Sequence, residues 1–170
     1  VTVSWTAPAS TGGSAITGYL VERSADGGLT WTTLATTAAS ASSYVSTGLT
    51  NGTTYAYRVT AINAAGNGVA SATVTATPFT AASAPTALSA TAGNAAATLS
   101  WVAPVSTGGL PIVGYRVEIS SNGGTSWSVA ISDTGTTSTS VTVAGLANGT
   151  AYAFRVSALT SPGAGSSSTP

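Results

Sequence analysis

Short stretches of alternating apolar and polar residues recur along the chain and are separated by turn-forming residues. The clearest stretch opens with an Asn-Gly turn at Asn51, after which one face carries Tyr55, Tyr57, Val59 and Ala61 and the other carries Ala56, Arg58, Thr60 and Ile62. Such alternation is typical of a β-strand that is buried on one side. The same pattern returns at 148–159. We therefore predict an all-β chain built from two copies of one unit.

Aromatic residues fix the alignment of the two copies. The pairs Trp5/Trp101, Tyr19/Tyr115 and Trp31/Trp127 are 96 residues apart, and Tyr55/Tyr152 are 97 apart. We predict a structural role for all eight. Tryptophans can also stack on sugar rings, but their repeated positions favour packing in the core.

The repeat divides the chain into a first domain at 1–78, a linker at 79–84 and a second domain at 85–170. Pro85 opens a strand that the first copy lacks, whereas the second copy ends in a Gly/Ser-rich tail at 161–170 in place of the final strand at 68–78. The first copy therefore has an open edge at its Val1–Trp5 strand. Two explanations remain: a parent protein that continues in both directions, which we favour, or a strand donated by a neighbouring subunit.

Charge is scarce in this sequence. Only 5% of the residues are charged, against about 25% in an average globular protein, and Ser, Thr, Ala and Gly take their place. The net charge is zero and the four arginines are scattered, which argues against nucleic acid or anionic membranes as partners. Cysteine and histidine are absent, so we expect no thiol chemistry, no cofactor and no metal site. No apolar run approaches the roughly 18–20 residues that would insert into a membrane.

Several motifs occur in the same order in both copies, and together they resemble the fibronectin type III module. These motifs are Trp on the second strand, Gly-Tyr-x-Val-Glu on the third, and Leu-x-Asn-Gly-Thr-x-Tyr-x-Tyr/Phe-Arg-Val-x-Ala on the sixth. The resemblance implies two tandem immunoglobulin-like sandwiches, each made of two antiparallel sheets. It also implies a tyrosine corner at Tyr55 and at Tyr152, with each hydroxyl bonded to backbone of the preceding turn.

In the fold that this resemblance implies, the third and sixth strands are neighbours. Outward-facing Glu22 should then lie beside Arg58, and Glu118 beside Arg155. We predict two equivalent exposed ion pairs, each contributing about 0.2–1 kcal/mol.

The remaining motifs have structural explanations. The segment from Ser24 to Trp31 resembles the Asp-box of sialidases, which is a structural turn in those proteins; the second copy has Asn122 in place of Asp26. Asn51 and Asn148 fit the N-glycosylation pattern, but an Asn-Gly turn explains both without a glycan. O-linked sugar on the Ser/Thr-rich faces remains an alternative.

A glycosidase pair of carboxylates is disfavoured because the four acidic residues are spread over both copies. The sequence therefore predicts a non-catalytic module, either a structural spacer or an adhesion module, of a larger extracellular or cell-surface protein. The expected partners are proteins, either neighbouring repeats or identical subunits. The alternatives are an accessory module of a secreted polysaccharide-degrading enzyme, with polysaccharide as partner, and a decoration domain of a phage particle. The residue usage of the repeats suggests a bacterial source.

Overall fold

The structure, a computed structural model, describes all residues from Val1 to Pro170 and contains strands but no helix. The chain forms two compact units, Val1–Pro78 and Phe79–Pro170. Each unit has its own hydrophobic core. The chain therefore has no helix that could span a bilayer. The predicted fold class, all-β with two tandem sandwich domains, is confirmed.

The strands of the first unit are β1 (Thr2–Ser4), β2 (Ile16–Ser24), β3 (Thr32–Ala38), β4 (Ser43–Val45), β5 (Tyr55–Asn63), β6 (Gly66–Ala70) and β7 (Val74–Ala76). β1 pairs with β4, and a second antiparallel sheet has the order β3-β2-β5-β6, with β7 also paired to β5.

The second unit also has seven strands: β8 (Thr86–Gly93), β9 (Ala96–Val102), β10 (Ile112–Ser120), β11 (Ser128–Ile131), β12 (Ser140–Ala144), β13 (Ala153–Thr160) and β14 (Gly163–Ser167). Its sheets have the orders β12-β9-β8 and β11-β10-β13-β14. Compared with the first unit, it has one strand more at its start and no counterpart of β7. The added strand is β8, so β9 is paired on both sides whereas its counterpart β1 pairs only with β4.

Alternate side chains of the facing sheets form each core. In the first unit, Tyr19 and Val21 of β2 are buried, and the Tyr19 ring lies 5.4 Å from that of Trp5. In the second unit the equivalent rings of Trp101 and Tyr115 are 4.9 Å apart and meet edge to face. Such aromatic contacts add stability beyond the area that they bury.

One pair of core positions differs between the copies. In the first unit the buried hydroxyl of Tyr57 donates a hydrogen bond to the Ser46 hydroxyl at 3.2 Å. In the second unit Phe154 and Val143 occupy the equivalent positions, and both are buried. The polar pair of one core is thus replaced as a pair by apolar residues in the other.

Gly18 is required where β3 approaches β2. A Cβ atom at this position would lie 2.4 Å from the carbonyl oxygen of Thr37. Any larger residue at this position would push the two strands apart. The lack of space explains why the Gly-Tyr-x-Val-Glu motif begins with glycine.

The structure corrects the ends of both copies. The single strand predicted at 68–78 is two strands, β6 and β7, separated at Ser71–Thr73. The predicted absence of a last strand in the second copy holds only in part: β14 pairs with β13 along 163–167 and corresponds to β6, whereas no strand corresponds to β7. The segment predicted to be a linker, 79–84, packs within the second unit, where Ala82 is only 1% exposed.

Candidate functional site

A cluster of three side chains lies on the outer face of the larger sheet in the first unit. Glu22 of β2 and Arg58 of β5 are directly opposite in the strand register. Arg58 donates two hydrogen bonds to the carboxylate, from Nε to Oε2 at 2.8 Å and from Nη2 to Oε1 at 3.2 Å. The guanidinium also stacks on the Trp31 ring, 4.2 Å from the ring centre. The ion pair is therefore held by a planar, two-point contact and a cation–π contact.

The second unit contains the same cluster. Arg155 donates to Glu118 at 2.9 and 3.1 Å, and its guanidinium lies 4.6 Å from the centre of the Trp127 ring. Arg116 adds a longer contact to Glu118 at 3.7 Å. The hydrogen bond from Arg155, helped by the charges of Arg155 and Arg116, holds the pKa of Glu118 below its usual value despite partial burial.

The structure thus brings together each pair of charged residues that the sequence predicted to be neighbours, but their surroundings differ from the prediction. The pairs were expected to be exposed, whereas the glutamate side chains are only 13% exposed. Sequence reasoning also missed the third member of each cluster and placed Trp31 and Trp127 in the core. Both rings are instead half-buried and lie over an arginine.

The turn before Trp31 is closed by a network of hydrogen bonds. Asp26 accepts from the Ser24 hydroxyl at 2.6 Å, from the Thr30 amide at 2.9 Å and from the Thr30 hydroxyl at 2.5 Å. The Gly28 amide donates to Ser24, and the Trp31 indole donates to the Gly28 carbonyl at 3.0 Å. The bonds from Ser24 and then Thr30 hold the pKa of Asp26 well below its usual 3.8. The Asp26 carboxylate therefore stabilises the turn by accepting these hydrogen bonds.

The second copy forms the same turn with a neutral amide. Asn122 Oδ1 accepts from the Ser120 hydroxyl at 2.8 Å and from the Ser126 amide at 3.0 Å. The amide nitrogen of Asn122 donates to the Ser126 hydroxyl at 2.8 Å. Charge at this position is therefore not needed to close the turn.

Tyr55 and Tyr152 occupy the positions expected of a tyrosine corner. The Thr50 amide donates to the Tyr55 hydroxyl at 3.1 Å, and the Ala147 amide donates to the Tyr152 hydroxyl at 3.3 Å. Each bond ties the start of a core strand to the preceding turn. The bond from Thr50 lowers the pKa of the Tyr55 hydroxyl.

The charged residues outside these clusters also have partners in their own units. Arg23 lies over the Tyr55 ring at 5.1 Å and donates to the Thr47 carbonyl. Asp133 accepts from the Gly135 amide at 2.8 Å and braces a turn. No group of three or more acidic side chains comes together in a way that could hold a metal ion.

The Asn-Gly turns have the backbone that their sequence predicts. Gly52 and Gly149 both have positive φ, at 81° and 78°. Asn148 uses its amide nitrogen, the atom that a glycan would modify, to donate to Asn94 Oδ1 at 2.9 Å. The turn thus explains this asparagine without a sugar.

The geometry defines a class of protein: tandem antiparallel β-sandwiches, each with a tyrosine corner and with a Glu–Arg–Trp cluster on the outer face of its larger sheet. The fibronectin type III domain family matches residues 1–77 and 83–170. The chain belongs to the fibronectin type III family. Members of this family are typically non-catalytic modules of larger proteins.

The chain is similar to segments of much longer animal proteins. The protein named titin homolog from Caenorhabditis elegans is 31% identical over 98% of this chain, and the match covers 1% of the relative. The fast-type myosin-binding protein C of Gallus gallus is 34% identical over 91% of this chain, and the match covers 14% of the relative. A crystal structure of titin domains shares the fold with a TM-score of 0.59 and 20% identity, over 89% of this chain and 52% of that one. The chain thus spans a small part of the relatives it matches.

Proposed function

We propose that this chain is a non-catalytic spacer or adhesion module of a larger extracellular or cell-surface protein. Its partners would be neighbouring repeats or identical subunits. The composition, with Ser, Thr, Ala and Gly in place of charge, supports a bacterial cell-surface protein even though the similar proteins named above are from animals.

The observation that carries this proposal is that all eight charged side chains are engaged inside their own unit. Four form the two Glu–Arg–Trp clusters, and the others brace turns or lie against a ring, a carbonyl or a glutamate. Charges arranged in this way stabilise the sheets and leave no reactive group directed at a substrate. A repeat that holds its shape is what a spacer needs.

A sugar-binding accessory module has less support. Such a module would present a row of exposed aromatic rings, but Phe79 is the one aromatic residue among the exposed large apolar side chains. The tryptophans are occupied by core contacts or by arginines.

Two measurements on the cells that make the parent protein test the proposal. Antibodies raised against this chain should label intact, unpermeabilised cells, and added protease should remove the epitope. Labelling only after permeabilisation would contradict a surface location. Hydrolysis of a polysaccharide panel by the purified chain, abolished by Glu22→Gln or Glu118→Gln, would contradict the non-catalytic role.

A further inference from the structure

Four asparagines of the chain are each followed by glycine: Asn51, Asn67, Asn122 and Asn148. In an Asn-Gly dipeptide the backbone nitrogen of the glycine can attack the side-chain Cγ of the asparagine and release ammonia. Glycine favours this reaction because it has no Cβ to block the approach and its backbone turns freely. The sequence gives all four sites the same chemistry, so the folded structure decides which of them reacts.

The side chain of Asn122 is held by three hydrogen bonds. Its Oδ1 accepts from the Ser120 hydroxyl at 2.8 Å and from the Ser126 amide at 3.0 Å, and its Nδ2 donates to the Ser126 hydroxyl at 2.8 Å. These bonds must break before Cγ can turn towards the next backbone nitrogen. Each one slows the reaction by roughly fivefold, so the three together slow it about a hundredfold.

The side chain of Asn148 is held by two hydrogen bonds. Its Oδ1 accepts from the Ala95 amide at 2.8 Å, and its Nδ2 donates to Asn94 Oδ1 at 2.9 Å. The same reasoning gives a slowing of roughly thirtyfold.

Asn51 is restrained through the residue that follows it. The Gly52 amide, whose nitrogen would have to attack, donates a hydrogen bond to the Pro78 carbonyl at 2.9 Å. This bond has to break before the nitrogen can lose its proton and turn towards Cγ of Asn51. The turn therefore protects this site as well.

Asn67 differs from the other three asparagines. Its side chain is exposed and makes no hydrogen bond. It lies on β6 opposite Ile62, and the register shifts just beyond it, so that Gly68 and Val69 together face Ala61. Such a bulge disrupts the ladder of backbone hydrogen bonds. The side chain of Asn67 is thus free to turn, at a point where the strand is irregular.

The exposure of Asn67 does not depend on what lies beside β6. In the second unit the segment 79–85 runs beside β14, where the Ser166 amide donates to the Ala82 carbonyl at 3.1 Å. Ala164 is the equivalent of Asn67 in the strand register, and it is exposed all the same. A segment in the same place beside β6 would therefore leave Asn67 open to solvent.

We propose that Asn67 is a site of spontaneous deamidation in the folded protein. The Gly68 nitrogen loses its proton and bonds to Cγ of Asn67, the Cγ–Nδ2 bond breaks, and ammonia leaves. Water then opens the cyclic imide at one of its two carbonyls. Opening at the side-chain carbonyl gives aspartate, and opening at the backbone carbonyl gives isoaspartate, in which the chain runs through the former side chain. No oxidant or reductant takes part.

The modification changes both the charge and the backbone of this part of the chain. Either product carries a carboxylate, so the net charge falls from zero to minus one. Isoaspartate also adds a methylene to the backbone of β6, which shifts the residues after it relative to β5. The second unit has alanine at this position and cannot undergo the same change.

Incubation of the full chain at neutral pH, followed by mass spectrometry of its peptides, tests the proposal. The same incubation in concentrated urea gives the rate of each site without the fold, so the ratio of the two rates measures protection. We expect Asn67 to react fastest in the folded chain, within about fivefold of its unfolded rate, and Asn122 and Asn148 to be slowed as stated above. A faster reaction at any other asparagine would overturn the proposal, as would protection of Asn67 equal to that of Asn122.

Gly68→Ala is the matched control for the attacking nitrogen. A Cβ at this position contacts only the Ala61 carbonyl oxygen, at 3.3 Å, so the variant should fold. The added Cβ hinders the approach to Asn67, and we expect deamidation there to slow by about tenfold or more. An unchanged rate would mean that the backbone nitrogen is not the nucleophile and would contradict the proposal.

Ser126→Ala tests whether side-chain hydrogen bonds set the order of the sites. The variant removes the acceptor of the Asn122 amide nitrogen. Deamidation at Asn122 should then become roughly fivefold faster, whereas the rate at Asn67 should stay the same. An unchanged rate at Asn122 would contradict the protective role of these bonds, on which the assignment of Asn67 rests.

Discussion

At the scale of single residues, the two cores show that a buried polar group is kept or lost together with its partner. Tyr57 and Ser46 bond to each other in the first unit, and the second unit has Phe154 and Val143 at the equivalent positions. Removing one partner leaves the other buried without a hydrogen bond, whereas replacing both removes the problem. The two copies thus show the two arrangements that leave no buried hydroxyl without a partner: a hydrogen-bonded polar pair and an apolar pair.

Ser46→Val is expected to destabilise the first unit by about 1–3 kcal/mol, because the Tyr57 hydroxyl would remain buried without an acceptor. Adding Tyr57→Phe should recover most of this loss, since the pair then matches the second unit. Urea unfolding of the single and double variants measures both effects. A double variant as unstable as Ser46→Val would contradict the explanation.

Asp26→Asn should lower the acid sensitivity of the first unit without opening its turn, because Asn122 closes the equivalent turn. The pKa of Asp26 is lowered in the folded state, so its stabilisation is present above the unfolded value of 3.8 and is lost as pH falls towards the folded value. Thermal midpoints measured from pH 6 down to pH 2 should therefore fall less in the variant. Parallel declines in both proteins would show that Asp26 does not contribute.

At the scale of elements, the outer face of each larger sheet is held by side chains from two strands and the turn beside them. Glu22 on β2 and Arg58 on β5 are cross-strand neighbours, and Trp31 reaches the arginine from the end of the hairpin turn. This arrangement joins three segments that are distant in sequence. Its stability should therefore depend on coupling between residues as well as on each residue alone.

A double-mutant cycle with Arg58→Lys and Trp31→Leu should give a coupling free energy of about 0.5–1 kcal/mol, because lysine loses the planar stack on the ring. Urea unfolding of the four proteins measures this value. The second unit supplies a replicate in Arg155→Lys and Trp127→Leu. Coupling indistinguishable from zero in both units would rule out a stabilising role for the stack.

The sequence predicted those elements whose burial alternates along the strand. The face assignments of Tyr57, Val59 and Arg58 hold because these inward and outward residues differ strongly in polarity. Trp31 escaped prediction because it lies in a turn, where no strand phase tells which way a side chain points. The strand β14 escaped because Gly, Ala and Ser along 163–167 carry no apolar alternation, and its pairing depends on the backbone.

The alternation of apolar and polar residues also could not predict the break between β6 and β7. Ser71 accepts a hydrogen bond from the Val59 amide through its hydroxyl at 3.1 Å, and its own amide donates to the Val59 carbonyl. A side chain thus takes the place of a ladder bond and interrupts the strand. Only contacts between distant residues show where such an interruption falls.

At the scale of the whole molecule, the chain is two units with separate cores. The buried apolar residues of the first unit and those of the second form distinct clusters, and no cluster includes residues of both. A core change in one unit should therefore act on the unfolding transition of that unit.

Leu99→Ala tests this separation, because Leu99 is fully buried in the second core. We expect a loss of about 2–5 kcal/mol confined to the second unit. Hydrogen exchange measured residue by residue should show lower protection at 96–160 and unchanged protection along β2 and β5. Equal loss of protection in both units would mean that they unfold as one.

The internal pairing of the few ions has a consequence for the conditions in which this protein works. Dissolved salt acts on proteins largely by shielding charges from one another, and shielding is weak for pairs in close, partly buried contact. A surface made of hydroxyl and methyl groups gives dissolved salt little to shield. We therefore expect the fold of each unit to change little between fresh water and brine.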